Sequence, residues 1–296
     1  MIEIKQLSKS FGYKEVLKHV DLCIPTGSFF GFIGPNGSGK STLLKIMSGV
    51  MRADEGSVQY EGEFVYENPE VKSNILLLSD EPYYFFHANI KEMKEFYAQF
   101  YPGFNEEIYQ RFLNIFQLDE KKRIQNFSKG MKRQAFLCIA LAISPKYLFL
   151  DEAFDGLDPM MRFVLKKELA NLLVEKEMTV IISSHNLREM EDICDSFGIL
   201  EDYHMITSGN LSETKEEIHK IQLAFREEMS KDAFNELDLL SYKAHSRVVN
   251  MVVKGDIEEI TKVLKAYQPL LMEVLPVSLE EIFLYEMEKR GYGQYE

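Results

Sequence analysis

The stretch Gly34-Pro35-Asn36-Gly37-Ser38-Gly39-Lys40-Ser41 fits G-x-x-x-x-G-K-[ST], and it limits the folds open to this chain more than any other segment. A short apolar run, residues 29–33, leads into it. Residues 41–50 follow it, with Leu43, Leu44 and Met47 at helical spacing. Strand, glycine-rich loop and helix in that order form a phosphate cradle. Glycines let the backbone curl without Cβ clashes. The free N–H groups and the positive end of the helix then attract phosphate charge. In such a cradle Lys40 reaches the β- and γ-phosphates and the Ser41 hydroxyl ligates Mg²⁺. The residues expected to hold a nucleotide here are Gly34, Pro35, Asn36, Gly37, Ser38, Gly39, Lys40, Ser41 and Thr42.

The rest of residues 1–210 alternates strand and helix. Strands are predicted at 2–5, 20–24, 75–78, 147–150 and 179–183, and helices at 90–118 (interrupted near Pro102-Gly103), 129–143 and 161–175. That alternation implies a largely parallel sheet with helices on its faces. After about residue 211 the order becomes βαββαβ: strands at 218–225, 240–245, 248–253 and 270–275, helices at 231–237 and 256–267, and a last helix at 279–289. This is the order of a ferredoxin-like unit. The expected organisation is an α/β domain over 1–210, with a helical subdomain at about 83–145, and a small α+β domain over 211–296.

Composition excludes several classes. The formal net charge is −13, which argues against a nucleic-acid partner. No run of about 18 apolar residues exists, so no segment is read as membrane-spanning. Cys23, Cys138 and Cys194 are far apart and form no C-x-x-C pair, which favours reduced, buried thiols in a cytosolic protein.

A second motif is Tyr147-Leu148-Phe149-Leu150-Asp151-Glu152, an apolar strand ending in two carboxylates. Beside a phosphate loop this is a Walker B arrangement. Asp151 is placed to hold Mg²⁺. Glu152 can orient and deprotonate an attacking water.

With both motifs present, residues 1 to about 210 resemble the ATP-binding subunits of ABC transporters. The most specific mark is Phe127-Ser128-Lys129-Gly130-Met131-Lys132-Arg133-Gln134, which resembles the signature loop L-S-G-G-Q; Lys129 replaces the first glycine and Met131 the glutamine. The resemblance implies a P-loop NTPase core of the ABC-ATPase kind. It implies that Ser128 and Gly130 contact the γ-phosphate held by another subunit. Gly156-Leu157-Asp158 resembles the D-loop that crosses the dimer interface, and His185, after Ile182-Ser183-Ser184, the switch histidine that senses the γ-phosphate. Ser10-Phe11-Gly12 resembles the place where an aromatic stacks on adenine, with Phe11 in that role and Tyr13 as the alternative.

One position departs from the pattern. In Leu78-Ser79-Asp80-Glu81-Pro82, Asp80 stands where the family often has the glutamine of its Q-loop. A carboxylate there can reach Mg²⁺, so Asp80 is counted with Ser41 and Asp151 as a metal ligand, and coupling to a membrane partner is put in question. The aromatic run Tyr83, Tyr84, Phe85, Phe86, Phe96, Tyr97, Phe100, Tyr101 and Phe104 fits a subdomain core and a groove for a membrane subunit equally. The ending Pro276-Val277-Ser278-Leu279-Glu280-Glu281-Ile282-Phe283-Leu284 resembles the tail of bacterial exporter ATPases.

The resemblance therefore implies an ATPase, coupled to transmembrane transport, that uses ATP and Mg²⁺ with Lys40, Glu152 and His185 as catalytic groups. It implies an exporter, a dimer with an identical or different ATPase subunit, and a separate transmembrane permease holding it at the inner face of the cell membrane. The rival class is an ATP-gated interaction protein. Its DNA-repair type needs a long coiled coil, for which the segment from Lys40 to Ser128 is too short, and its ribosome-associated type has two cassettes where this chain has one. A cassette that binds ATP but barely hydrolyses it is disfavoured by intact Lys40, Asp151, Glu152 and His185.

Overall fold

A computed structural model describes residues 1–289, so the last residues of the expected second domain, 290–296, lie outside it. The chain forms two compact units, Met1–Ser208 and Gly209–Glu296.

In the first unit, β3 (Phe29–Ile33), β6 (Ile75–Leu78), β7 (Tyr147–Asp151), β8 (Thr179–Ser184), β9 (Ser196–Glu201) and β10 (His204–Asn210) form a sheet in the order β10-β9-β3-β8-β7-β6. The pairs β9–β3, β3–β8, β8–β7 and β7–β6 are parallel. Strands β3, β7 and β8 are buried along their whole length, which is why they read as continuous apolar runs. The register aligns Ile33 with Ser184, Asp151 with Ser183, and Leu78 with Leu150. The loops after β3, β8, β7 and β6 therefore leave the sheet at one carboxyl edge. In open α/β sheets that edge is where ligands bind.

A second sheet is antiparallel: β1 (Ile2–Phe11), β2 (Lys14–Ile24), β4 (Glu55–Tyr60) and β5 (Glu63–Phe64), in the order β2-β1-β4-β5. It was expected only as two short strands, because residues 55–64 are mostly polar and only Val58 and Tyr60 of β4 turn inward. Helix α1 (Lys40–Met47) joins the two sheets: its Leu43, Leu44 and Met47 share one core with Ile2 and Ile4 of β1, Phe30 and Phe32 of β3, and Phe149 of β7. Cys138 and Cys194 are buried, whereas Cys23 is exposed, since the inward turns of Leu22 and Ile24 send it to the outer face of β2.

The short α2 (Pro69–Lys72) precedes β6. Helices α3 (Ile90–Ala98) and α4 (Glu106–Ile115) pack on α5 (Lys129–Ile143), whose residues 135–143 are all buried. The predicted 90–118 helix is two helices because each has its own start. Asn89 and Glu92 form a capping box, and Asn105 accepts from the Ile108 N–H at 3.0 Å. Helix α6 (Pro159–Lys176) is capped by Asp158 with proline at its first position, and the one-turn α7 (Leu187–Glu191) follows β8.

The second unit begins with α8 (Leu211–Glu217) and holds an antiparallel sheet of β11 (Ile218–Ala224), β12 (Asp238–His245), β13 (Val248–Lys254) and β14 (Leu271–Leu275), in the order β12-β13-β11-β14. Helices α9 (Ile257–Ala266) and α10 (Leu279–Lys289) complete it. The helix expected at 231–237 is a single 3₁₀ turn, Lys231–Phe234, with no side-chain cap. One turn is enough to insert Phe234, which is fully buried with its ring 5.1 Å from Tyr267 and 6.1 Å from both Phe225 and Tyr242. Truncating it leaves a cavity at the centre of this core. Phe234→Ala should destabilise this unit by about 3–5 kcal/mol, read as a lower denaturant midpoint of its unfolding in the full chain.

Candidate functional site

The loop after β3 depends on two close approaches. A Cβ at Gly34 would lie 2.1 Å from the Leu200 carbonyl oxygen, and one at Gly39 2.5 Å from that of Val16. Gly39 also has φ of +106°, so any other residue there is strained as well as crowded. Val16 belongs to the hairpin of β1 and β2, so the same contact sets that hairpin against the loop. Phe11, at the hairpin's end, is half exposed with Lys9 Nζ 5.6 Å from its ring centre; Tyr13 is fully exposed. An exposed, flat ring beside a phosphate cradle can stack on a base.

Lys40 is buried, and its Nζ donates to the carbonyl oxygens of Gly34 at 2.6 Å and Pro35 at 3.0 Å. Burial lowers its pKa, while the carboxylates of Glu152, Asp151 and Glu201 oppose that shift. The Ser38 hydroxyl is buried and has no hydrogen-bond partner. An orphaned hydroxyl inside this loop is a donor that a phosphate oxygen would satisfy.

Asp151, buried at the end of β7, ties the elements together. Its Oδ1 accepts from Ser41 Oγ of α1 at 3.1 Å and from Ser183 Oγ of β8 at 2.5 Å. A hydroxyl and a carboxylate this close are the hard oxygen donors that suit Mg²⁺, so this pair fits the ion the sequence implies.

Glu152 comes next, with a left-handed backbone at φ of +51°. Its N–H donates to the Ser183 carbonyl at 3.1 Å and also lies 3.2 Å from the Ser183 hydroxyl. Its Oε2 sits 3.1 Å from His185 Nδ1, the nitrogen that carries the hydrogen when the carboxylate is ionised. Burial and the neighbouring Asp155 raise the Glu152 pKa, and His185 and Lys40 pull against them. A carboxylate raised in this way is a stronger base.

Ser128 caps α5, accepting from the Met131 N–H at 3.2 Å. Gly130 packs on the turn after β7: a Cβ on it would stand 2.6 Å from the Gly156 carbonyl oxygen. Among the described residues neither makes a hydrogen bond to loop 34–42 of its own chain. Asp80 was expected beside Ser41 and Asp151 as a third metal ligand. Its carboxylate joins neither Ser41 nor Asp151; it pairs with Arg133 and, at 3.0 Å, with Lys129, one turn apart at the start of α5. Two cations, one of them buried, hold it there.

Two residues were not singled out from the sequence. Ser183 is one of three hydroxyl residues in a fully buried strand, and a buried hydroxyl must find partners, which was the available signal. Glu201, at the end of β9, has a buried Oε2 without a partner, and its pKa is raised by burial. The sequence holds no signal for it, because its nearness to Lys40 comes from strand order.

This fold and these loops define a P-loop nucleotide-binding α/β protein. The family described as ABC transporter matches residues 17–155. The chain is 31% identical over 284 residues to the ABC transporter ATP-binding protein YtrB of Bacillus subtilis, covering 96% of this chain and 97% of YtrB. It is 33% identical over 229 residues to the lantibiotic transport ATP-binding protein SrtF of Streptococcus pyogenes, covering 76% and 98%. A solved structure of an ATP-binding subunit of an ABC transporter superposes with a TM-score of 0.66 at 28% identity, covering 73% of this chain and 92% of that one. The chain belongs to the ABC transporter ATP-binding proteins: it is the ATP-binding and ATP-hydrolysing subunit of such a transporter. Among the described residues no helix is long and apolar enough to cross a membrane.

The geometry of Lys40 gives a direct test. Lys40→Ala removes the full positive charge on the phosphate loop, and ATP affinity should fall at least tenfold, measured by equilibrium binding of a fluorescent ATP analogue.

Proposed function

We propose that two such subunits bind Mg·ATP on their P-loops and close on each other, so that each nucleotide lies between the P-loop of one and the signature loop of the other. The observation that carries this reading is the convergence of Lys40, Ser41, Asp151, Glu152 and His185 at the ends of adjacent parallel strands, while Ser128 and Gly130 make no hydrogen bond to that loop within the chain. In this reading Ser128 and Gly130 of a partner add a second helix N-terminus and a hydroxyl over the γ-phosphate.

In this scheme the P-loop N–H groups and Lys40 bind and orient the β- and γ-phosphates, and Phe11 stacks on adenine. Ser41 and Asp151 would hold Mg²⁺, which when bound neutralises phosphate charge. Glu152 accepts a proton from water as the water oxygen bonds to the γ-phosphorus and the bond to the β–γ bridging oxygen breaks. His185, hydrogen-bonded to Glu152, fixes the direction of that carboxylate. Positioning and charge do most of the work.

The transport role assigns the chain a separate transmembrane permease and a place at the inner face of the cell membrane, with no nucleic-acid partner. The exposed aromatics Tyr83, Phe85, Phe86 and Phe100 form the side of the helical subdomain offered to that permease. Relatives named for lantibiotic and bacitracin transport support an exporter of peptide-like antibiotics. We divide the chain into an ABC ATPase domain, 1–210, and an accessory domain, 211–296. The strand order β12-β13-β11-β14 supports a ferredoxin-like reading of the accessory domain, with its first helix reduced to a turn.

Two measurements test the scheme. Glu152→Gln keeps the shape of the side chain and loses proton acceptance, so turnover should drop by about 10²–10⁴ while ATP still binds. Turnover at the wild-type rate removes Glu152 from that role. Mixing Lys40→Ala with Ser128→Arg should restore ATPase activity above either variant alone, since a heterodimer then has one intact composite site. A mixture whose heterodimers form but whose rate stays at the average of the two counts against closure in trans.

A further inference from the structure

Arg133 is the largest fully buried side chain among the described residues, at 2% exposure. A guanidinium taken out of water needs compensating partners, and here they come from two loops. Nη2 donates to the Asp80 carboxylate and, at 3.3 Å, to the Asp80 carbonyl; Nη1 donates to the Asp155 carbonyl. One planar fork thus joins the loop after β6, the N-terminal part of α5 and the turn after β7.

The turn after β7 is the one that carries the reacting carboxylate. The Asp155 N–H donates to the Glu152 carbonyl at 3.1 Å and closes it. Side-chain ligand atoms of Glu152, Asp155 and His185 lie within 4.8 Å of one another. Gly130 approaches the Gly156 carbonyl too closely to admit a Cβ of its own, so the start of α5 is seated on this turn. Asp80 stands at the other end of the chain of contacts. Its Oδ1 meets Arg133 and Lys129, and its Oδ2 lies 3.3 Å from Lys129 Nζ. To ligate a metal beside Asp151, it would have to abandon a buried cation, which is strongly unfavourable. Its open flank lines a cavity of about 590 Å³ with Pro82, Tyr83, Tyr84 and Lys132, on the same side as the exposed aromatics.

We propose that Asp80 and Arg133 are positioning residues for ATP hydrolysis: Asp80 holds the Arg133 fork, the fork holds the Asp155 carbonyl, and the turn so fixed sets the direction of Glu152. This rests on the reading of Glu152 as the base. The position that the family fills with glutamine therefore acts here through the signature helix and the turn after β7, and not on the metal.

The test is a double-mutant cycle in the full chain with Asp80→Asn, Arg133→Gln and both together. Turnover, KM for ATP and the Mg²⁺ concentration giving half-maximal rate are read for each, with equilibrium binding of a fluorescent ATP analogue as a measure independent of turnover. Asp80→Asn should lower kcat about tenfold, with KM, analogue affinity and the Mg²⁺ half-point unchanged within about twofold. The double variant should be no slower than the slower single one, and Asp80→Glu, which keeps the charge, should recover part of the rate. Asp80 is partly exposed, so Asp80→Asn and Asp80→Glu carry the test if Arg133→Gln does not fold. A Mg²⁺ half-point raised severalfold in Asp80→Asn, with the rate restored by excess Mg²⁺, makes Asp80 a metal ligand and overturns the proposal. So does an unchanged kcat, or a double variant slowed by the product of the single effects. Wild-type turnover from Glu152→Gln overturns the base assignment itself, whereas a slow Glu152→Gln beside an unaffected Asp80→Asn overturns the relay alone.

Discussion

A single buried carboxylate oxygen, Oδ1 of Asp151, accepts hydrogen bonds from Ser41 and Ser183. Ser41 opens the helix after the P-loop, and Ser183 lies on the strand between β3 and β7 in the sheet. An ionised group at this depth is tolerated only when its lone pairs are used. Meeting that demand fixes α1, β7 and β8 relative to one another, and with them Lys40, Glu152 and His185. The atoms that meet this demand are hard oxygen donors of the kind that suit a divalent cation.

Positive charge is handled differently at the start of α5. Lys129, Lys132 and Arg133 crowd a helix N-terminus that is already positive, and no acidic residue lies in its first turn. Each cation finds an acceptor outside the helix. Lys129 and Arg133 use Asp80, and Lys132 donates to the Tyr84 hydroxyl at 3.0 Å with its Nζ 5.2 Å from the ring centre. The departures from the family pattern at 80 and 129 thus form one ion pair. Taken singly each reads as a lost function; taken together they are a paired change in which a carboxylate answers a cation.

Much of this was legible in the sequence where local chemistry and global fold agree. Residues 29–41 carry strand, loop and helix signals in adjacent positions, and 147–152 carry a buried strand with its carboxylates, so both were placed within a residue or two. The antiparallel sheet was mostly missed because β4 and β5 bury few side chains and so have little pattern. The helix expected at 231–237 fails because one aromatic, Phe234, has to be buried there and a single turn does that. Ser183 left only an indirect trace. Glu201 left none, since its distance from Lys40 follows from β9 lying beside β3.

Asp80 marks the limit of motif reading. A motif position fixes where a residue leaves the sheet, and Leu78 opposite Leu150 does place the loop after β6 next to Asp151. Direction is a separate matter, set by which charges compete for the side chain. Here the competitor is a guanidinium with 2% exposure, and the cost of leaving such a group unpaired exceeds the gain from an exposed carboxylate reaching a metal through solvent. Arg133 is five residues past Ser128 in a signature loop whose first positions draw all the attention. Its burial is tertiary, created by Gly130 and Gly156 letting two backbones touch. A side chain at 130 would push α5 off the turn after β7 and break the fork's hold on Asp155, so the small residue at 130 serves the geometry of its own chain as well as any contact with a second one.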